Sequence, residues 1–243
     1  MSLIKLISAD IFKLKRSLIL LLLLSVPAMM MVVQITFIIT GNASDQWTTF
    51  AMSSAAIWSF FLLPMTATAT TALLAQSEHS IRAWSYTLAL PSPKWMVFLS
   101  KFILAFALMG FVSCLLYAAI LTGGAAGGMM VPAEALAGST PYALLANLLF
   151  KMWLASFLVI AIQVFVALFF ESFAIAIIFG ISGTFVAMVA TSAKMGVYFP
   201  WLLATNILAS EPQRAVQALI TGLTGGVLLA AIGALALARR DWK

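Results

Sequence analysis

Six apolar stretches, at 17–39, 51–75, 102–121, 143–170, 173–193 and 215–238, fill most of this 243-residue chain, and each holds 20 residues or more. About 20 mostly apolar residues are needed to cross the hydrocarbon layer as a helix. Backbone polar groups in lipid must be satisfied within the segment, which leaves helices or closed barrels. None of the six shows the alternation over about ten residues that marks a barrel strand. The pattern predicts an all-α integral membrane protein with six transmembrane helices. Composition agrees: the chain is 64% hydrophobic and 8% charged, against about 25% charged in soluble domains.

The basic residues set the orientation. Of 13 Lys and Arg, ten fall in three places: Lys5, Lys13, Lys15 and Arg16; Arg82, Lys94 and Lys101; and Arg239, Arg240 and Lys243. Basic residues beside spans are retained on the cytoplasmic side, so both termini and the loop after the second span are expected there. An even number of spans agrees. The net charge of +6 then reads as orientation and as attraction to anionic lipid, and nucleic acid is not an expected partner. The run 17–39 has a basic lead, but it exceeds the 7–15 or so residues of a signal-peptide core and is expected to remain as the first span. Cys114 is the single cysteine. That excludes an internal disulfide or a multi-cysteine metal site, and its expected place is a small buried apolar one.

Little lies outside the spans, and the chain reads as one domain over 1–243. Residues 1–16 repeat apolar positions at Leu3, Leu6, Ile7, Ile11 and Leu14, with Lys5, Asp10, Lys13 and Lys15 elsewhere round the helix; that predicts an amphipathic N-terminal helix lying in the membrane interface. Residues 40–50 read as a polar turn, and 122–142, rich in Gly and Ala, as an irregular loop or shallow excursion. Residues 194–214 carry Tyr198, Phe199, Pro200 and Trp201 before an apolar run too short to cross, which predicts an outer re-entrant or interfacial element.

The cytoplasmic loop 76–101 carries the strongest functional signal. Ser77 can cap a helix with Glu78 in its first turn. Glu78 and Arg82 stand four apart and can pair on an exposed face. Ile81, Trp84 and Leu88 give the same short helix an apolar side, Pro91 ends it, and Ser92 with Pro93 can open the next span. Such a helix suits docking onto a soluble partner; a plain connecting loop resting on headgroups is the alternative.

With six spans, an amphipathic N-terminal helix and a Ser-Glu-His…Trp…Leu-Pro-Ser-Pro-Lys…Lys segment after the second span, the chain resembles ABC-2-type transporter permeases. Its appearance is closest to the small permeases of lantibiotic- and bacitracin-immunity exporters. The segment at 198–201 and the Ala-Arg-Arg-Asp at 238–241 add to the resemblance. It implies that the loop is a coupling helix meeting an ABC ATPase, with Glu78, His79, Arg82, Trp84 and Leu88 as the ATPase-coupling residues. It implies two permease subunits, as homo- or heterodimer, on an ATPase subunit dimer that binds the ATP and Mg. The place implied is the bacterial cytoplasmic (inner) membrane, and the action is expulsion of an amphipathic compound such as a peptide antibiotic. No Gly-x-x-x-x-Gly-Lys-[Ser/Thr] occurs, and the Gly-rich run at 123–128 is followed by no Lys. No cofactor is therefore expected in this chain.

Within the spans, Pro64 is followed by Thr66, Thr68, Thr70 and Thr71. Either these form a hinge with a polar stripe along a translocation path, or the hydroxyls re-satisfy local backbone. Gln34, Gln163 and Pro27 can serve interhelical packing or that same path. Lys151 is expected to snorkel to the outer interface, and Glu171 to face the cytoplasm in a short turn. The spans carry no acidic residue at their centres, which argues against an ion-coupled carrier. The single His79 argues against bis-His haem and against His-Glu-x-x-His proteolysis. A non-transporting membrane sensor or assembly protein is the alternative to a permease, and dependence on an ATPase separates the two.

Overall fold

The computed structural model describes residues 2–14, 17–44, 46–79 and 92–240. Among the described residues it is all-helical, with one isolated bridge, between Gln46 and Ala137. Five helices are long and apolar enough to cross a membrane, and a bent pair makes six. A short helix α1 (Leu3–Leu14) precedes α2 (Leu18–Ile39). Then come α3 (Trp47–His79) and α4 (Lys94–Met130). The bent pair is α5 (Tyr142–Ala155) with α6 (Phe157–Phe169). Last are α7 (Phe173–Ala190) and α8 (Pro212–Arg239).

The helices differ in how much they show to lipid. In its most apolar window α3 is 67% buried, whereas α7 is 22% buried. So α3 is the central element, with α2 and α4 on one side and α6 and α7 on another. Two backbone irregularities shape the bundle. In α3 a π-turn at Trp58–Leu62 stands just before Pro64, where the Leu63 N–H donates to the Trp58 carbonyl. Pro64 has no N–H, and its ring crowds the preceding turn; the widened turn resets the register beside it. Between α5 and α6 the axis bends by 41°. No Pro or Gly stands there; Ser156 turns its hydroxyl back to the Trp153 carbonyl at 2.7 Å, a bond that bends helices. Opposite the bend Gly222 of α8 lies against the Ala155 backbone, where a side chain has no room.

Element ends depart from the sequence expectations. The Gly-rich run at 123–128 is no loop: α4 continues through it to Met130. Gly costs helix stability in water, but here Gly123, Gly124 and Gly127 let α4 approach Gln34, Trp47 and Ile38 closely. At 37 residues α4 is roughly 55 Å long, well beyond what an apolar layer of about 30 Å requires. Of residues 194–214, the stretch 194–208 holds three 3-10 turns, and α8 has already begun at Pro212. These turns bury Trp201 against Gly183 and Phe179 of α7. Asn206 bonds the Val197 carbonyl and accepts from Arg214.

Candidate functional site

Opposite charges meet where α1, α3 and α4 come together. The Lys101 ammonium donates to Glu78 Oε1 and to Asp10 Oδ1, each at 2.6 Å. Lys13 reaches the same Glu78 oxygen at 2.8 Å and lies 3.6 Å from Asp10. The Ser100 hydroxyl donates to Asp10 Oδ2 at 3.2 Å. Glu78 is 0% exposed, Lys101 3% and Asp10 8%. Two carboxylates and two ammonium groups balance, which is how charges persist out of water. Burial would lower the Lys13 pKa, but the hydrogen bond and charge of Glu78, with Asp10, hold it above the ordinary lysine value.

Glu78 therefore does not stand on an exposed face: it is buried, and its carboxylate accepts from Lys101 and Lys13. Nor does Ser77 start a helix. It lies inside α3, and its hydroxyl donates back to Leu74 O at 2.8 Å. Asp10 is not on a solvated face of α1 either; with Leu6 it forms the buried side, while Ile4, Ile11 and Phe12 point outward. The next helix opens at Lys94, with Pro93 as its cap. Arg82, Trp84, Leu88 and Pro91 lie outside the described residues.

The cluster sits at the end of α3 and near the start of α4, the two helices whose described residues stop at His79 and resume at Ser92. Around it stand other elements of the same end. The His79 ring is 3.3 Å from the Ala167 carbonyl of α6. Arg240, after α8, bonds the Phe169 carbonyl and stacks over the Phe169 ring at 4.7 Å. Glu171 is exposed in the turn between α6 and α7. Three segments far apart in sequence thus gather at this end of the bundle: α1, the α6–α7 turn and the end of α8.

The polar residues of the bundle interior behave differently. Thr66, Thr68 and Thr71 donate to the carbonyls of Leu62, Pro64 and Ala67, each on its own helix, at 2.6, 2.8 and 2.8 Å. All are buried, as is Thr70. Thr68 and Gln163 meet at Gly180 of α7, where an added methyl would overlap Thr68 and stand 2.5 Å from Gln163 Nε2. Neither amide atom of Gln163 has a hydrogen-bond partner among the described residues. Gln34 is elsewhere, donating to Ser54 at 2.8 Å. The six residues named from sequence as path or hinge therefore divide: Thr68 and Gln163 meet at Gly180 of α7, Pro64, Thr66 and Thr70 are buried along α3, and Gln34 joins α2 to α3.

A family model for the ABC-2 family transporter protein matches residues 6–187. The chain belongs to that family. The match takes in the charged cluster, the loop 80–91 and the Thr68–Gln163–Gly180 contact. It stops short of 198–201 and 238–241, so those two points of resemblance lie beyond it. No curated protein and no solved structure matches the chain. ABC-2 proteins are membrane transport components that generally work with an ABC ATPase, and this ABC-2 chain, with its five to six apolar helices, is a multi-pass membrane protein.

Sequence reasoning missed the partners of Glu78. Lys101 counted only as a basic flank, and Asp10 as part of a polar face. They are 91 residues apart, so no local spacing could link them. The one available signal was that each is an ionisable residue bordering apolar sequence, where a lone charge is costly and needs a partner.

Proposed function

We propose that this chain is the membrane-spanning permease subunit of an ATP-driven exporter in a bacterial cytoplasmic membrane. It works as a homo- or heterodimer on a separate ATPase dimer that holds the ATP and Mg. Its cargo is an amphipathic compound such as a peptide antibiotic, removed from the cell or from the membrane. Family membership supports the transport role, and the excess of Lys and Arg beside the loop 80–91 supports a cytoplasmic place for that loop.

The observation that carries the coupling reading is the buried Asp10–Lys101–Glu78 cluster. It ties both helices that bound the loop to α1. Force applied to the loop by a closing ATPase reaches α3 through Glu78 and α4 through Lys101 together. The three helix ends then move as one body rather than fraying, and the motion passes to the interior around Pro64.

The test is co-purification of the tagged protein with the products of neighbouring genes, with vanadate-sensitive ATPase activity measured alongside. An ATPase is expected to co-purify with the wild type, to be lost or uncoupled in Trp84→Ala, and to be retained but less active with Glu78→Gln. A preparation that recruits no ATPase would sink the permease reading in favour of a sensor or assembly protein.

A further inference from the structure

A groove of about 1090 Å³ opens on the side of the bundle, between the middle of α4 and α5 and away from the charged cluster. That is at the upper end of the roughly 300–1,000 Å³ typical of small-molecule sites. Gly110, Ser113, Cys114 and Tyr117 line it from α4; Asn147, Lys151 and Leu154 from α5; Leu219 closes it from α8. Its floor is rigid: the Trp153 ring stacks on Phe106 at 4.5 Å and its indole N–H donates to the Phe106 carbonyl at 2.9 Å. The indole fits because residue 110 is Gly; a Cβ there would come within 2.8 Å of it.

One residue in this groove departs from the sequence expectations: Cys114 is exposed, not buried. Lys151 is exposed too, nine residues into α5, roughly 14 Å from the start of that helix. Together α5 and α6 are longer than the layer of about 30 Å requires, which leaves the start of α5 outside it and Lys151 within reach of the interface. Among the described residues no carboxylate is within ion-pair distance of Lys151. A cation inside a span without a carboxylate partner is rare, and such residues mark ligand sites by default.

We infer that the α4–α5 groove binds an anionic phospholipid of the bilayer, with its acyl chain along Gly110, Leu154 and Leu219 and its charged headgroup drawn to Lys151. The argument is charge complementarity: an apolar trough on the side of the bundle offers one cation, Lys151, and the amide of Asn147. A phosphodiester anion with a tail satisfies both features, whereas a zwitterionic lipid brings its own cation beside Lys151.

Cys114 provides the reporter, because it is the only cysteine in the chain. The intact protein would be reconstituted in phosphatidylcholine vesicles with and without phosphatidylglycerol, and the alkylation rate of Cys114 by a membrane-permeable maleimide followed. Lipid retention would be read by native mass spectrometry. Phosphatidylglycerol is expected to slow alkylation several-fold and to be retained by the wild type and by Lys151→Arg. Lys151→Gln should lose both effects while keeping the same fold by circular dichroism. Equal retention by Lys151→Gln, or equal protection by phosphatidylcholine, would overturn the inference. So would protection that follows protein concentration instead of lipid, which would mean a second copy covers the groove.

Discussion

The loop end and the interior of the bundle both bury polar groups, and they satisfy them in opposite ways. At the loop end Asp10, Glu78 and Lys101 bond across three helices, over separations of 23 and 91 residues. In the interior Thr66, Thr68 and Thr71 bond to carbonyls four residues back on their own helix. The first arrangement fixes helices to one another. In the second, among the described residues, none of the three threonine hydroxyls bonds across to a neighbouring helix, so they leave α3 freer to shift there than its loop end. The proposed permease uses both: a stiff end to receive a push, and a more compliant interior to yield to it.

The sharpest way to break the contrast is to strand one charge. Glu78→Met leaves Lys101 buried with Asp10 alone, and losing one partner of a buried pair costs about 3–5 kcal/mol. The expected outcome is a large fall in the thermal midpoint in detergent. Adding Lys101→Met removes the other charge and leaves Asp10 and Lys13, already 3.6 Å apart, to pair. The double variant should recover most of the stability. If the single variant and the double are equally unstable, the residues matter as volume and not as charges.

Gly180→Ala is next. The new methyl meets Thr68 and Gln163, and overpacking of this kind costs about 1–3 kcal/mol. Thr68→Ser in the same chain removes the methyl that crowds it and should return part of the loss. Melting of the single and double variants measures this. No return would mean that the α3–α7 contact adjusts elsewhere.

How far the molecule was legible follows from range. The spans were visible because twenty apolar residues in a row carry their own signal, independent of neighbours. Their ends were not: 123–128 looked like a loop because Gly is a poor helix former in isolation, and only the approach of Ile38, Trp47 and Gln34 explains its place in α4. The bend at Ser156 was hidden because no Pro or Gly announces it. Glu78 stood out as a residue to watch, but its surroundings were misread. An i to i+4 pairing is visible in a sequence, and a partner on a different helix is not.

Gln163→Leu gives a smaller effect of opposite sign. Both amide atoms are buried without a partner among the described residues, and a buried polar group left unbonded costs about 1–3 kcal/mol. The apolar variant should be as stable as the wild type or more so, by chemical denaturation in mixed micelles. A clear loss of stability would show that the amide is bonded in the membrane.

Smallest of all should be Thr66→Val and Thr71→Val. Each removes a hydroxyl whose only described acceptors are carbonyls of its own helix, and those carbonyls can keep their backbone bonds. Side-chain hydrogen bonds in membranes average about 0.6 kcal/mol by double-mutant cycles even when they cross between helices. A shift of a few tenths of that kind is expected in the melting point. Valine also matches threonine in shape, so packing is kept. Transport is therefore the informative readout. If vesicles carrying these variants export cargo at the wild-type rate, the hydroxyls serve α3 alone. If export fails while the melting point holds, the same hydroxyls turn toward the cargo during the cycle, and the compliant interior is also the path.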